Sequence, residues 1–499
     1  MVPWAILLSC PTLVCAVSTA LERHCLWPVK TVANPSTSTL ITLQPHPTKR
    51  DQVKTILVRR GLKARNKRTT MEKDKENIVI IGGGFAGIQL SKSLLKQNKE
   101  INVTLVDKNN YNFFPPLIYQ VATGFLDVSN ISYPFRKYFG KFSNFSFRMG
   151  ELREIVHEQN LVVLNNGELP YSKLIIATGT TSNYFGNENI KKNSLPMKTI
   201  SDALLLKNTI LERFEEASRT TDLNMRRKLT NIVIAGGGPT GVEIAGMLSE
   251  LKKNVFFREF PALRDLPLDI HLIDGLPTLL SPMSENSQRY AEKSLRNMGV
   301  KIRLGHLVKD YLDDTVILAD GSVIPAKTLI WTAGVTGMTF AGLEPDDYGK
   351  GKRLFVDPFN RLYRYSNIYA IGDTCITTAD PGFPYGHPQL AQVAMQQGSR
   401  LAKNLLLINN GEKPAPFIYK DKGSMAIISR NKAVADLPGT VRNLDGFVAW
   451  LAWIFVHLMS LVNIRNKLTT FLNWLQAYFT KDQPLRMIVK PGKAASHGE

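Results

Sequence analysis

The chain has 499 residues, more than one hydrophobic core usually serves, so two or three domains are expected. A composition of 44% hydrophobic and 21% charged residues is that of a globular protein and excludes a largely disordered one. The formal charge of +20 is gathered toward the two ends, which points to an anionic membrane surface rather than nucleic acid, with a merely solvated basic face as the alternative.

Residues 1–70 carry 11 Lys or Arg against only Glu22 and Asp51. Three readings of this leader stay open. Residues 1–20 are apolar with a small-residue end but lack the basic start of a secretory signal; residues 23–70 are basic, acid-poor and rich in Ser and Thr, closer to an organelle transit peptide; and Met71 is a candidate initiator. Residues 1–70 are placed outside the fold. Cys10, Cys15 and Cys25 lie in that leader, leaving Cys375 alone in the rest. One thiol forms no internal disulfide, which fits a reducing compartment and argues against dithiol chemistry.

Residues 77–82 (NIVIIG) read as a short buried strand, 86–97 as the following helix and 101–107 (INVTLVD) as the next strand. The same grammar returns at 231–236 (NIVIAG), a helix from Thr240 to about Lys252, and 268–274 (LDIHLID). Strands alternating with helices predict an α/β fold with two parallel, Rossmann-like sheets. Segments 170–180 (PYSKLIIATGT) and 325–335 (PAKTLIWTAGV) are a second matched pair, each a strand running into a small-residue turn, at Ala177 and Gly179 and at Ala333 and Gly334. A further strand ends at Gly372-Asp373. The expected division is a first domain over 71–183, a second inserted over 184–337, return to the first over 338–412, and a C-terminal segment over 413–499. In that last segment, 447–462 is apolar except for His457 and Ser460, but its 16 residues fall short of the roughly 20 needed to span a bilayer. Residues 468–479 follow with helical apolar spacing. A helix pair lying in the membrane interface is expected, with helices packed on the catalytic domains as the alternative.

Gly82-Gly83-Gly84-Phe85-Ala86-Gly87 satisfies G-x-G-x-x-G between strand and helix. The first glycine permits the tight turn, the second lets backbone approach a pyrophosphate and the third lets helix and strand pack closely. Asp107, 20 positions after Gly87 and followed by Lys108, is placed to accept ribose hydroxyls. Gly236-Gly237-Gly238-Pro239-Thr240-Gly241 repeats the pattern. Its acid, Asp274, comes 33 positions after Gly241, a lag that a loop insertion over 252–266 would absorb. A carboxylate there favours NADH over NADPH, although Arg258 and Arg264 leave NADPH open. The first loop is therefore expected to hold FAD and the second a nicotinamide cofactor. No metal role is expected: Cys375 is isolated and the histidines show no ligand spacing.

With these motifs in place, residues 71–489 resemble the type II NADH:quinone oxidoreductases, the single-subunit, non-proton-pumping NADH dehydrogenases. The narrower match rests on 111–124 (YNFFPPLIYQVATG), 390–398 (LAQVAMQQG), 422–430 (KGSMAIISR) and 465–488. The resemblance implies noncovalent FAD, NADH as donor, a membrane quinone as acceptor and attachment to one leaflet through the C-terminal helices. It suits the cytoplasmic face of a bacterial-type inner membrane, or a mitochondrial inner membrane if residues 1–70 are a transit peptide, and it allows a homodimer. It implies that Gln392 and Gln396, after Ala391, line the quinone site, that Glu243 passes a proton toward the quinone and that Lys422 is its charge partner. Spacing of four puts both amides on one helix face. Gln392 and Gln396 also fit an exposed polar face, Glu243 an acid that complements a helix dipole, and Lys422 an ordinary surface lysine. At Ser429 the sequence departs from the usual glycine. A ferredoxin- or rubredoxin-type reductase is the competing enzyme reading and a flavin-binding membrane scaffold the non-enzymatic one; neither accounts for the loops, the glutamines and the apolar C-terminus together.

Overall fold

The computed structural model describes residues 75–264, 266, 268–439, 443–481 and 486–489, all within the unit Glu72–Glu499. The expectations for residues 1–70, and for the end of the C-terminal segment over 490–499, lie outside the described residues.

The main elements, in chain order, are β1 (Glu76–Ile81), α1 (Phe85–Gln97), β2 (Ile101–Asp107), α2 (Ile118–Ala122), β3 (Phe145–Met149) and β4 (Lys173–Ile176). A second series follows: β5 (Leu195–Pro196), α3 (Ile200–Arg219), β6 (Ile232–Ala235), α4 (Pro239–Leu251), β7 (Ile270–Asp274), α5 (Glu285–Asn297), β8 (Val300–Leu304) and β9 (Thr328–Trp331). The chain closes with β10 (Ile368–Ala370), α6 (Ala391–Asn409), the antiparallel β11 (Ser424–Ser429), β12 (Lys432–Asp436) and β13 (Leu444–Asp445), then α7 (Gly446–Ser460) and α8 (Ile464–Thr480).

Two five-stranded parallel sheets result, in the orders β10-β4-β1-β2-β3 and β5-β9-β6-β7-β8. The central strands of both are covered on each face, and for that reason read as continuous apolar runs: Ile78, Val79 and Ile80 in β1, and Ile232 through Ala235 in β6, are all buried. The first sheet takes its outer strand β10 from after the second sheet is complete, so the chain leaves the first sheet and returns to it.

One difference concerns residues 252–266. The lag before Asp274 reads as a loop in the sequence, but the helix carries on through a π-helical turn, Lys252–Phe256, into Phe257–Glu259. Its burial explains this: Val255 and Phe256 pack into the main core, with Phe256 stacked on Phe214 of α3 at 4.1 Å between ring centroids.

The C-terminal sheet presses against α4. A Cβ built at Gly246 would strike the Ile428 carbonyl oxygen, so only glycine allows helix and strand to approach this closely. Gly246→Ala must push α4 off β11, and we expect it to cost about 1–3 kcal/mol or more, read as a lowered melting temperature.

Helices α7 and α8 have two faces. Trp453, 1% exposed, and Trp474 join the main core, and Asn466 donates to the Ser132 carbonyl at 3.0 Å. The opposite faces expose Phe447, Leu451 and Phe455 on α7 and Ile464, Leu468 and Phe479 on α8. No described helix is long and apolar enough to cross a membrane.

Candidate functional site

Both glycine loops are built alike. Gly82 takes φ +106 and Gly236 φ +112, backbone that side chains rarely adopt, and a Cβ on either would run into the strand-end turn beside it, at Ala177 and at Thr332. A Cβ on Gly87 or Gly241 would strike the carbonyl of the first glycine in its own loop. Each turn is locked by the acid that ends the neighbouring strand. Gly83 N–H donates to Asp107 Oδ2 at 2.7 Å, while Asn109 N–H donates to Oδ1 at 2.8 Å. In the second loop Gly237 N–H donates to Asp274 Oδ2 and Leu276 N–H to Oδ1 at 2.6 Å. Burial raises the Asp107 carboxyl, with the backbone N–H groups and exposed Lys108 acting against it.

These loops have the features a dinucleotide needs. Gly84 and Gly238 cap α1 and α4 without any side-chain hydrogen bond, and a Cβ on either, or on Gly179, would meet nothing within 4 Å. The helix N-termini thus face open space with backbone donors available for phosphate. Phe85 and Ala86 open α1, and Pro239, at the first helical position of α4, with Thr240 does the same. Gly334, on the turn with Ala333, accepts from Asn183 N–H at 3.0 Å.

Asp373 is half-buried among charges. Burial raises its carboxyl, and Lys198 and Arg353 pull it back down. Lys198 also donates to Thr180 Oγ1 at 2.8 Å. Gly372 N–H donates to Gln397 Oε1 at 2.7 Å, so Gln397, 2% exposed, holds the strand-end turn against α6. Sequence reasoning missed Gln397, Lys198 and Arg353. For Gln397 a signal existed, since it falls in helical register with buried Val393, Ala394 and Leu401. Cys375 is the only free cysteine among the described residues; burial pushes its thiol up to about 11, which makes it a poor nucleophile.

The two expected glutamines do come together, and both grip one peptide segment. Gln392 accepts from Lys422 N–H at 3.0 Å and donates to the Gly423 carbonyl at 2.9 Å. Gln396 accepts from Lys420 N–H at 3.1 Å and donates to the Lys420 carbonyl at 2.9 Å. They bind the 420–423 backbone to the first turns of α6, and so fix where Lys422, an exposed residue, begins.

Glu243 is 8% exposed on α4 and hydrogen-bonds to the backbone of Ile427. Desolvation holds its carboxyl well above the usual range. Two turns further on, Glu250 accepts from Arg430 N–H at 2.6 Å and pairs with the Ser429 hydroxyl. Ser429 therefore supplies a side-chain donor where glycine has none, and the following turn is made by Asn431 at φ 64. An aromatic run, Phe85 to Phe114 to His457 to Trp453, links the first glycine loop to α7. Burial lowers His457 to about 4, so it is neutral at pH 7. No group of metal-ligating side chains occurs among the described residues.

With this geometry established, comparison with known proteins is decisive. The profile of the pyridine nucleotide-disulphide oxidoreductases matches residues 76–398, and that of the NDH2 C-terminal domain matches residues 422–481. The type II NADH:quinone oxidoreductase Ndh of Mycobacterium tuberculosis is 34% identical over 421 residues, covering 81% of this chain and 89% of that protein. The chain belongs to the type II NADH:quinone oxidoreductases. It is a flavin-dependent NADH:quinone oxidoreductase. The internal alternative NAD(P)H-ubiquinone oxidoreductase A1 of Arabidopsis thaliana mitochondria is 27% identical, covering 82% of this chain and 85% of that one. Among solved structures, NDH2 from Plasmodium falciparum in complex with NADH shares the fold, with a TM-score of 0.75 at 21% identity over 83% of this chain and 100% of that chain. A sulfide:quinone oxidoreductase from Aquifex aeolicus shares it less closely, with a TM-score of 0.63 at 22% identity over 79% of this chain and 92% of that one.

The buried Glu243 makes a prediction with a definite sign. Its carboxyl is raised in the folded state, so between the unfolded value of about 4.3 and the folded one the unfolded chain has already released the proton, and stability falls as pH rises through that window. Glu243→Gln removes the penalty. Melting temperatures of variant and parent should coincide near pH 4, and the variant should melt higher as pH rises above it; a constant difference across pH would contradict a neutral Glu243.

Proposed function

We propose that this oxidoreductase holds FAD, noncovalently, on the Gly82 loop and NADH on the Gly236 loop, and that a membrane quinone collects the electrons beside α6. The observation that carries this reading is the paired loop, each with free helix N-terminal donors and each locked by its own strand-end carboxylate. The domain division follows the same logic: an FAD domain over 71–183 and 338–412, an NADH domain over 184–337 and an anchoring segment over 413–499.

FAD held on the first loop would supply the redox chemistry, a hydride taken from NADH and two electrons given to quinone. The protein's part is binding, orientation and protons. Asp107 and Asp274 keep further lone pairs for ribose hydroxyls, and Asp274 disfavours a 2′-phosphate, which makes NADH the donor. Asp373, on the turn that Gln397 holds through the Gly372 N–H, is assigned to the first cofactor. Gln392 and Gln396 act by holding the 420–423 segment and its Lys422 at the quinone's edge. Glu243, neutral because it is buried, keeps a proton available at its carboxyl.

The exposed apolar faces of α7 and α8, with Arg465, Lys467 and Lys481 beside them, support seating on an anionic leaflet as a monotopic protein. The leaflet belongs to a bacterial-type inner membrane, or to the mitochondrial inner membrane if the leader is a transit peptide. The same helices carry core residues, so removing them would damage the fold, and point changes are the better probe. Phe455, 65% exposed, is suited. Phe455→Asp should lower co-sedimentation with anionic vesicles while leaving the melting temperature within about 1 °C, as expected for a surface change.

NADH should bleach the flavin of the purified protein, and a soluble quinone should restore its colour. Gln396→Ala should slow that restoration about tenfold with bleaching unchanged, a barrier change of about 1.4 kcal/mol. Equal slowing of both half-reactions would count against the quinone-side assignment.

A further inference from the structure

Residues 412–423, which include Lys422, form neither helix nor strand. A stretch outside any sheet has no ladder to order its backbone, so other partners must do it. Gln392 and Gln396 serve 420–423 in this way. The same device recurs further along α6, where Asn404 accepts from Ala415 N–H at 3.0 Å and donates to the Ala415 carbonyl at 2.9 Å.

A second set of bonds comes from a buried carboxylate. Phe417 and Tyr419 are buried while Pro416, Ile418 and Lys420 are exposed, the alternation of an extended chain lying on a core. Phe417 N–H donates to the Pro358 carbonyl at 2.8 Å, and Tyr419 N–H donates to Asp380 Oδ2 at 2.8 Å. Asp380, 3% exposed, also accepts from Gly382 N–H at 3.0 Å and bonds His387 Nε2 at 2.9 Å. Burial acts to raise its carboxyl, but His387 and the two amides together outweigh that and hold it below the ordinary carboxylate range. As an anion Asp380 can only accept, so His387 Nε2 carries the proton and donates it. His387 is itself buried, among the rings of Phe383, Phe417 and Tyr419. Its carbonyl accepts from Arg353 at 3.2 Å, and Gln389, two residues on, donates to the Asp373 carbonyl at 3.2 Å. The loop that carries Asp380 and His387 is thus tied to the turn assigned to the flavin. A buried anion stripped of a donor is costly, so the Tyr419 amide cannot leave Oδ2 without penalty.

We propose that Asp380, oriented by His387, is a positioning residue for quinone reduction: it fixes the 417–423 segment, and with it Lys422, relative to the flavin-side turn. The hold passes along the segment from Tyr419, whose hydroxyl donates to Asp421 Oδ1 at 3.2 Å, while Gly423 N–H donates to the same oxygen at 2.9 Å. Between the amides of α6 and the Asp380 carboxylate, the backbone at Lys422 is fixed and only its side chain stays free to turn. Reacting groups must be held to within about 1 Å for full rate, so a loosened segment costs activity even though Asp380 acts only through backbone. The proposal rests on the quinone-side reading of Lys422.

The test uses the full-length holoenzyme, reduced by NADH and reoxidised by a soluble short-chain quinone. Asp380→Ala should leave bleaching unchanged and slow reoxidation by about tenfold. Asp380→Asn, whose one oxygen can stand where Oδ2 does, should restore most of the rate. Lys422→Ala should also slow reoxidation, and adding Asp380→Ala to it should cost little more, because both act through one group. Should Asp380→Ala fail to fold, His387→Phe keeps a ring among the three aromatics, loses the donor and should slow reoxidation by about threefold. A readout without substrate is trypsin: cleavage after Lys420 or Lys422, identified by fragment mass, should be faster in Asp380→Ala than in the parent. If Lys422→Ala slows reoxidation but Asp380→Ala does not, or if the two effects multiply in the double variant, the proposal is overturned and the role of Lys422 stands. If Lys422→Ala has no effect, that role falls and the proposal with it. Equal slowing of bleaching and reoxidation by Asp380→Ala, or unchanged cleavage, also overturns the proposal.

Discussion

In each parallel sheet, the amide of the second loop glycine is tied to a carboxylate on the neighbouring strand, and the binding geometry hangs on that bond. A glycine turn at positive φ has no side chain to fix it and could otherwise sample many conformations. The strand-end acid removes that freedom: Asp107 takes the amides of Gly83 and Asn109, and Asp274 those of Gly237 and Leu276. Helix and strand are then near enough that the last glycine of each loop cannot carry a Cβ. The acids are thus structural clamps, and in the proposed function one carboxylate also serves ribose, because its two oxygens offer more lone pairs than the loop consumes.

The second organising contact is the close approach of α4 to β11 at Gly246. One helix thereby opens the second glycine loop at its N-terminus and presents Glu243 and Glu250 to the C-terminal sheet along its body. Because α4 is so deeply buried, desolvation is the largest influence on both of its acids and raises each above the ordinary carboxyl range. Two glutamines fix the segment that carries Lys422.

Much of the fold was legible in the sequence because its signals are local. Buried parallel strands must be apolar on both faces, and the glycine loops must stand between strand and helix, so 77–107 and 231–274 declare themselves. What stayed hidden depends on contacts across the chain. Helical register marks Gln397 as inward-facing, but nothing near it in sequence announces its bond to Gly372. The 252–266 segment reads as a loop because its apolar residues meet a distant helix, α3, through Phe256 and Phe214. The terminal helices left membrane-seated and core-packed readings open because one face is buried and the other exposed, Trp453 inward and Phe455 outward only two residues on.

That double-faced packing has a thermodynamic consequence. Trp453 and Trp474 share one hydrophobic cluster with strands and helices of the second sheet, so the folded core and the outward apolar face are parts of the same rigid pieces. Any lipid surface that binds the outer face binds only the folded form, and by mass action it shifts the equilibrium toward that form. A bilayer seated there, as proposed, would act as a stabilising ligand whose effect reaches the core of the second sheet without any change of shape.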